Sequence, residues 1–267
     1  MFLTRKAQNA INWLTVAYCV LGALFLMLAG LSSWDDDSWA LVRVGIFAIA
    51  FGVILRPVMR YSLGTNKLLL SANKLVYKQL RPAEFIRLYT QKRDCPDNVV
   101  AKPDFSVLNL LTVAYDVLDD SEHALQTLEQ MLSIAPEKKK AHAMLLKASL
   151  LYDQGRLEEA ERLYREVRNR KTDALTKATA DVVLKTDRAM AMGDYATAED
   201  YFRQMLAQAF PKHPPLSLLT AYYHLGKLCA LTNRPEEAKE HLTYCIENGG
   251  ETAMKTKAAA LLSALQP

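Results

Sequence analysis

One turn, written four times along the second half of the chain, constrains the fold more than any other feature. Its fullest form is Gly155-Arg156-Leu157-Glu158-Glu159-Ala160, and it returns at Gly193-Asp194-Tyr195-Ala196-Thr197-Ala198, at Asn233-Arg234-Pro235-Glu236-Glu237-Ala238 and more loosely at Asp119-Asp120-Ser121-Glu122-His123-Ala124. Gly155 can take the left-handed conformation that ends a helix. The acidic pair Glu158 and Glu159 suits the positive end of the next one, and Ala160 leaves room for close packing. A recurring helix-turn-helix of this kind makes the second half a stack of helical hairpins, because one hairpin alone cannot bury its apolar stripe.

The periodicity between the turns agrees. From Phe105 onward, apolar residues recur at helical spacing and no segment alternates with period two. The pattern predicts helices over 105–118 and 122–133, 142–154 and 157–169, 174–192 and 195–208, and 215–232 and 235–247. A last unpaired helix over 252–265 caps the stack. Lys138-Lys139-Lys140 opens a solvated helix after Pro136, and the arginines and glutamates of 158–171 alternate on an exposed face. Stripes such as Leu125, Leu128, Met131 and Leu132 read as packing residues.

The first 60 residues differ in kind. No charged residue occurs from Ala7 to Trp34, and Ile11 to Leu31 is long enough to cross a bilayer as a helix. A short acidic turn, Trp34-Asp35-Asp36-Asp37-Ser38-Trp39, leads to a second apolar segment from Trp39 to Met59, flanked and interrupted by Arg43 and Arg56. Arg5 and Lys6 before the first run also resemble a signal peptide, but the run is longer than a usual signal core and a second hydrophobic segment follows it. The sequence thus predicts a transmembrane hairpin with spans of about 11–31 and 39–59. Arg5 and Lys6 before the hairpin, with Arg56, Arg60, Lys67, Lys74 and Lys78 after it, would keep both termini and the helical stack on the cytoplasmic side.

Charge sorts with this division. Residues 1–100 carry 12 Lys and Arg against 6 Asp and Glu, while the remainder carries 21 against 23. The basic excess lies beside the apolar segment and on no base-reading motif, so nucleic acid is not an expected partner. Residues 61–100 form a basic bridge with two readings: a helix resting on anionic lipid, or a degenerate first helical pair made of Asn66 to Leu80 and Pro82 to Arg93, closed by Pro96. Cys19, Cys95, Cys229 and Cys245 show no metal or disulfide spacing. Cys229 and Cys245 read as buried thiols, although a helix pair could bring them face to face.

The turn alanines Ala124, Ala160, Ala198 and Ala238 are 36, 38 and 40 residues apart. Gly226 stands twelve before Ala238, Tyr164 and Phe202 stand four after their alanines, and Pro136 twelve after Ala124. In these positions the chain from about residue 100 to 250 resembles the tetratricopeptide repeat, whose period is roughly 34 residues. It departs at the first-helix tryptophan, replaced by Leu108, Met144, Val182 and Tyr222, and at the glycine position, where Thr112, Ala148 and Thr186 stand in three repeats. The resemblance implies an all-α architecture: the hairpin of residues 1–60, the bridge of 61–100, and a tetratricopeptide-like α-solenoid over 101–267 with its cap.

The resemblance also implies a concave groove lined by first helices, in which ligands lie. Its positions carry over onto Asn109, Asp116, Leu145, Ser149, Tyr152, Asp187, Tyr223 and Lys227, with Tyr152, Tyr223 and Lys227 as preferred contacts for a protein or peptide. The lysine and asparagine clamp by which some relatives hold a C-terminal carboxylate is not reproduced, since Lys227 is isolated. No GxSxG, HExxH, Walker A or GxGxxG motif is present and the histidines are scattered, so no catalysis, cofactor or metal is expected. The expected function is a membrane-tethered adaptor that recruits a protein or peptide partner. The alternatives are a peptide-binding sensor coupled to the hairpin, or a structural subunit of a membrane complex in which Arg43 matters.

Overall fold

Short local signals fix where the helices of this chain begin and end. The computed structural model describes residues 2–31, 36–60, 66–94, 98–100, 104–170, 172–208 and 214–265. Trp34 and Asp35 of the acidic turn, Cys95, Pro96 and His213 lie outside them. The described residues form two compact units, one of Met1–Ser71 with Tyr89–Lys102 and one of Ala72–Leu88 with Pro103–Pro267.

In the first unit, helices α1 (Arg5–Leu31) and α2 (Asp36–Arg60) form an antiparallel hairpin. Glycines set its spacing. A Cβ built on Gly22 would stand 2.5 Å from Ile49 Cγ1 and 2.7 Å from the Gly45 carbonyl oxygen, and one on Gly52 would stand 2.8 Å from Tyr18 Cβ. Small residues allow backbones this close, a mode of packing suited to helices in lipid. The remaining faces are apolar and open: Trp13 is 74% exposed and Phe47 78%, with Val20, Met27 and Ile54 alongside. Two strands, β1 (Phe2–Thr4) and β2 (Asn98–Val100), pair antiparallel with Phe2 opposite Val100. This short ladder is a small addition to an otherwise helical architecture. Three-residue strands this far apart in sequence leave no periodic signal.

One helix in the described residues, over Asn9–Leu28, is long and apolar enough to cross a membrane; the apolar stretch of α2 is the shorter Val42–Ile54. Of the two expected spans, about 11–31 and 39–59, only the first passes on length and hydropathy, because Arg43 and Arg56 bound the second apolar run. The basic bridge is helical, with α3 (Asn66–Asn73) running into a π-helical turn at Lys74–Lys78 and α4 (Pro82–Asp94) following.

The second unit is built from hairpins: α5 (Phe105–Val117) with α6 (Ser121–Ile134), and α7 (Glu137–Asp153) with α8 (Leu157–Arg168). Then come α9 (Ala174–Lys185) and α10 (Asp187–Ala191) with α11 (Tyr195–Gln208), α12 (Pro215–Leu231) with α13 (Pro235–Asn248), and finally α14 (Ala253–Ala264). The four turns are one structure repeated. Asp119, Gly155, Gly193 and Asn233 all have positive φ, at 66°, 72°, 75° and 59°. The next residue's N–H then reaches back five residues: Asp120 to Tyr115 O, Arg156 to Leu151 O, Asp194 to Ala189 O and Arg234 to Cys229 O, at 2.8–2.9 Å. This is the Schellman closure. Only Gly, Asn and Asp enter the left-handed region at low cost, which is why those residue types recur there. The four turn alanines are fully buried, and the side chains four residues later, Leu128, Tyr164, Phe202 and Leu242, fill the core behind them.

Where 174–192 reads as one helix, the structure breaks it at Thr186. The Thr186 hydroxyl donates to Val182 O at 2.5 Å and to Asp187 Oδ1 at 3.2 Å. A threonine that bonds back onto its own helix bends it, and here the chain restarts at Asp187. The helix predicted from His142 instead begins at Glu137, because Pro136 can lead into a helix but cannot continue one.

The two ends of this unit meet. Leu80, held at a left-handed φ of 53°, accepts a hydrogen bond from the Glu251 N–H at 2.9 Å, and Arg81 lies 3.6 Å from Glu251. Gly250 also has positive φ, and a Cβ there would stand 2.6 Å from Leu80 O. Lys257 of α14 pairs with Asp119 in the first turn.

Candidate functional site

Closure of the second unit places residues from α5, α6, α7, α9, α10, α11, α12 and α14 around adjoining cavities. One, of about 240 Å³, is lined by Asp116, Asp119, Asp153, Tyr223, His224, Lys227 and Lys257. The other, of about 330 Å³, is lined by Val113, Asp116, Ser149, Asp153, Thr186, Asp187, Tyr201 and His224. Each wall comes from one face of a helix. On α12, Thr220, Tyr223 or His224, and Lys227 follow the three-to-four spacing that puts side chains in a row.

Three carboxyl groups from successive repeats dominate the floor. Enclosure pushes Asp187 up to about 7, helped by the charge of Asp153 and opposed by hydrogen bonds from the Ser149 and Thr186 hydroxyls. Asp116 also rises to about 7, through enclosure and then the charges of Asp153 and Asp119, although water reaches its carboxyl. Asp153 is raised too, by enclosure, with Lys227 and Lys257 pulling the other way. His224 stacks on Phe202 with ring centroids 4.7 Å apart, and burial lowers it to about 4, so it stays neutral. Negative charge here is crowded and incompletely solvated. A cation entering the cavity would relieve it, which is the chemistry this wall offers.

The eight sequence-derived groove residues divide. Asp116, Ser149, Asp187, Tyr223 and Lys227 line the cavities. Leu145 is completely buried and Tyr152 is 3% exposed with its hydroxyl donating to Glu161 at 3.0 Å, so both are packing residues and not groove contacts. Asn109 lies outside both cavities, with its Oδ1 3.1 Å from His142 Nε2. Asp153, His224, Lys257 and Tyr201 are the residues that sequence reasoning missed. Asp153 is four residues after Ser149 and so shares its face, a signal that the choice of Tyr152 passed over by one position. Nothing in the sequence places Lys257 there, since it arrives by the meeting of the two ends.

With this geometry in view, residues 119–180 and residues 185–243 each match a family model described as a tetratricopeptide repeat. These two stretches are similar to tetratricopeptide repeats. The first match starts at the left-handed Asp119, and the second takes in the turns at Gly193 and Asn233. No curated protein matches the chain, and no solved structure does. Tetratricopeptide repeats serve protein–protein interaction as a rule, and the helical solenoid agrees with that role.

Proposed function

We propose that the chain is a membrane-tethered adaptor whose tetratricopeptide unit holds a protein or peptide partner by a basic side chain in the acid-lined cavity, without bond chemistry. The observation that carries this reading is the convergence of Asp116, Asp153 and Asp187 on one concave wall, each from a different repeat. Lys or Arg of a peptide can enter such a wall and be paired there. Lys227 and Lys257 at one side would orient the peptide by meeting its backbone carbonyls or an acidic neighbour.

The tether is the α1–α2 hairpin. Its support is the apolar surface on the outside of both helices, which water penalises and lipid does not. α2 would return across the bilayer with Arg43 drawn to an interface, leaving both termini and the repeats on the cytoplasmic face, and the basic residues 67–87 would favour anionic lipid. Tethering raises the partner's effective concentration at the membrane.

Proximity labelling from the C-terminus should recover one partner set at the membrane. Deleting residues 1–60 should release that set to the soluble fraction, and Asp116→Lys with Asp153→Lys should cut its recovery at least tenfold while the anchor stays in the membrane. Both aspartates are exposed, so the charge reversal leaves the core intact. An unchanged partner set in the charge-reversed chain would sink the cavity reading, and equal membrane association without residues 1–60 would sink the tether.

A further inference from the structure

Away from the cavity, the last hairpin brings three metal-binding side chains together. Cys229 in the final turns of α12 faces Glu237 and His241 on α13, which are four residues apart and share a helix face. Their ligand atoms all lie within 4.8 Å of one another. Cys229 Sγ is 3.8 Å from Glu237 Oε2. A tetrahedral ion with bonds of about 2.3 Å to sulfur and about 2.1 Å to oxygen separates those two atoms by about 3.6 Å. The spacing is therefore close to that of a formed site.

A second observation points the same way. His241 Nδ1 is buried and has no hydrogen-bond partner among the described residues. A buried ring nitrogen without a partner is costly, and a bound cation or an ordered water would satisfy it.

We propose that Cys229, Glu237 and His241 bind a divalent transition-metal ion of the zinc class, with a fourth position open to water. The donor set selects that class: a thiolate and an imidazole suit zinc or cobalt, and disfavour calcium and magnesium. The arginines beside the site do not forbid it. Arg203 and Arg234 both reach Glu237 Oε2, at 2.7 and 3.3 Å, and both are also held by Glu199. A carboxylate has two oxygens, so the arginines can pass to Oε1, fixed as outer partners fix a ligand, while Oε2, the oxygen beside Cys229, takes the ion. Binding releases the thiol proton to solvent, so the ion adds two positive charges and the thiolate restores one negative. The ion would clip α12 to α13 at the last repeat. None of the three ligands lines the acid-lined cavity.

The test uses the full-length chain, reduced and in detergent, titrated with cobalt and then zinc. Cobalt should bind one to one, with a thiolate charge-transfer band in the near ultraviolet and the intense visible bands of a tetrahedral ion, and zinc should displace it. Cys229→Ser should remove the charge-transfer band. Glu237→Gln, which keeps an oxygen for the arginines, and His241→Gln should each weaken binding at least tenfold. Cys245→Ser should change nothing, because that buried thiol instead lies 3.6 Å from the Leu219 carbonyl in the hairpin core. Absence of stoichiometric binding, or a charge-transfer band that survives in Cys229→Ser, would overturn the proposal, as would unweakened binding in both Glu237→Gln and His241→Gln.

Discussion

Leu242→Ala is expected to lower the melting temperature of the repeat unit by roughly 6–12 °C, corresponding to about 3 kcal/mol for a fully buried leucine in a unit of this size. Leu242 has no exposed surface and packs into the only repeat whose first helix carries a glycine. A Cβ on Gly226 would stand 2.7 Å from both Leu242 Cγ and Cδ2, and 3.3 Å from the Leu242 nitrogen. Gly226→Ala alone should therefore destabilise by about 1–3 kcal/mol through overpacking, less the ~1 kcal/mol that alanine gains over glycine inside a helix. With Leu242→Ala already made, the two closest obstructing atoms are gone and only the backbone nitrogen at 3.3 Å remains. The same substitution should then turn neutral or stabilising. Thermal melts of the wild type, the two single variants and the double variant measure this coupling directly. Additive losses would show that Gly226 has no close-approach role and that α12 and α13 can separate freely.

That coupling also marks what the sequence carries well. A glycine twelve residues before a buried alanine, and a large side chain four after it, is a packing rule that survives translation into residue types. The turns at Asp119, Gly155, Gly193 and Asn233 are legible for the same reason, since a left-handed φ restricts the choice to a few residues. The cavity is much less so. Its walls depend on helix rotation, and an error of one position exchanges Asp153, which lines the cavity, for Tyr152, which lies in the core. Leu145 fails in the same way. Lys257 and the Leu80 loop reach their places only because the unit's ends meet, a long-range consequence of the curvature accumulated over four hairpins. The break at Thr186 lies between these cases: a threonine followed by an aspartate is visible, but the bend follows from a hydroxyl choosing the Val182 carbonyl.

Asp187→Asn is expected to stabilise the repeat unit at pH 8 and to do almost nothing at pH 4. In the folded chain the Asp187 carboxyl titrates near 7, mainly because it is enclosed and then because Asp153 is close; unfolded, it returns to about 3.8. The folded state therefore holds this proton more tightly than the unfolded state does. Stability contributed by the protonated carboxyl is complete below 3.8 and is lost as pH rises through 7. The undiscounted shift corresponds to about 4 kcal/mol, but the cavity is open to water and the carboxyl is partly accessible, so about 1–2 kcal/mol is the expected gain from the neutral amide at pH 8. Ser149 and Thr186 meet different oxygens of Asp187; asparagine keeps one oxygen to accept from Ser149, and its amide can donate to the Thr186 oxygen, whose proton goes to Val182 O, so both contacts can be kept. Near-ultraviolet circular dichroism of the full-length chain, melted at both pH values, should show a rise of about 3–6 °C at pH 8 for a unit of this size. An equal fall at both pH values would mean that Asp187 serves as an uncharged hydrogen-bond acceptor. The crowding of negative charge invoked for cation recruitment would then be absent from this wall of the cavity.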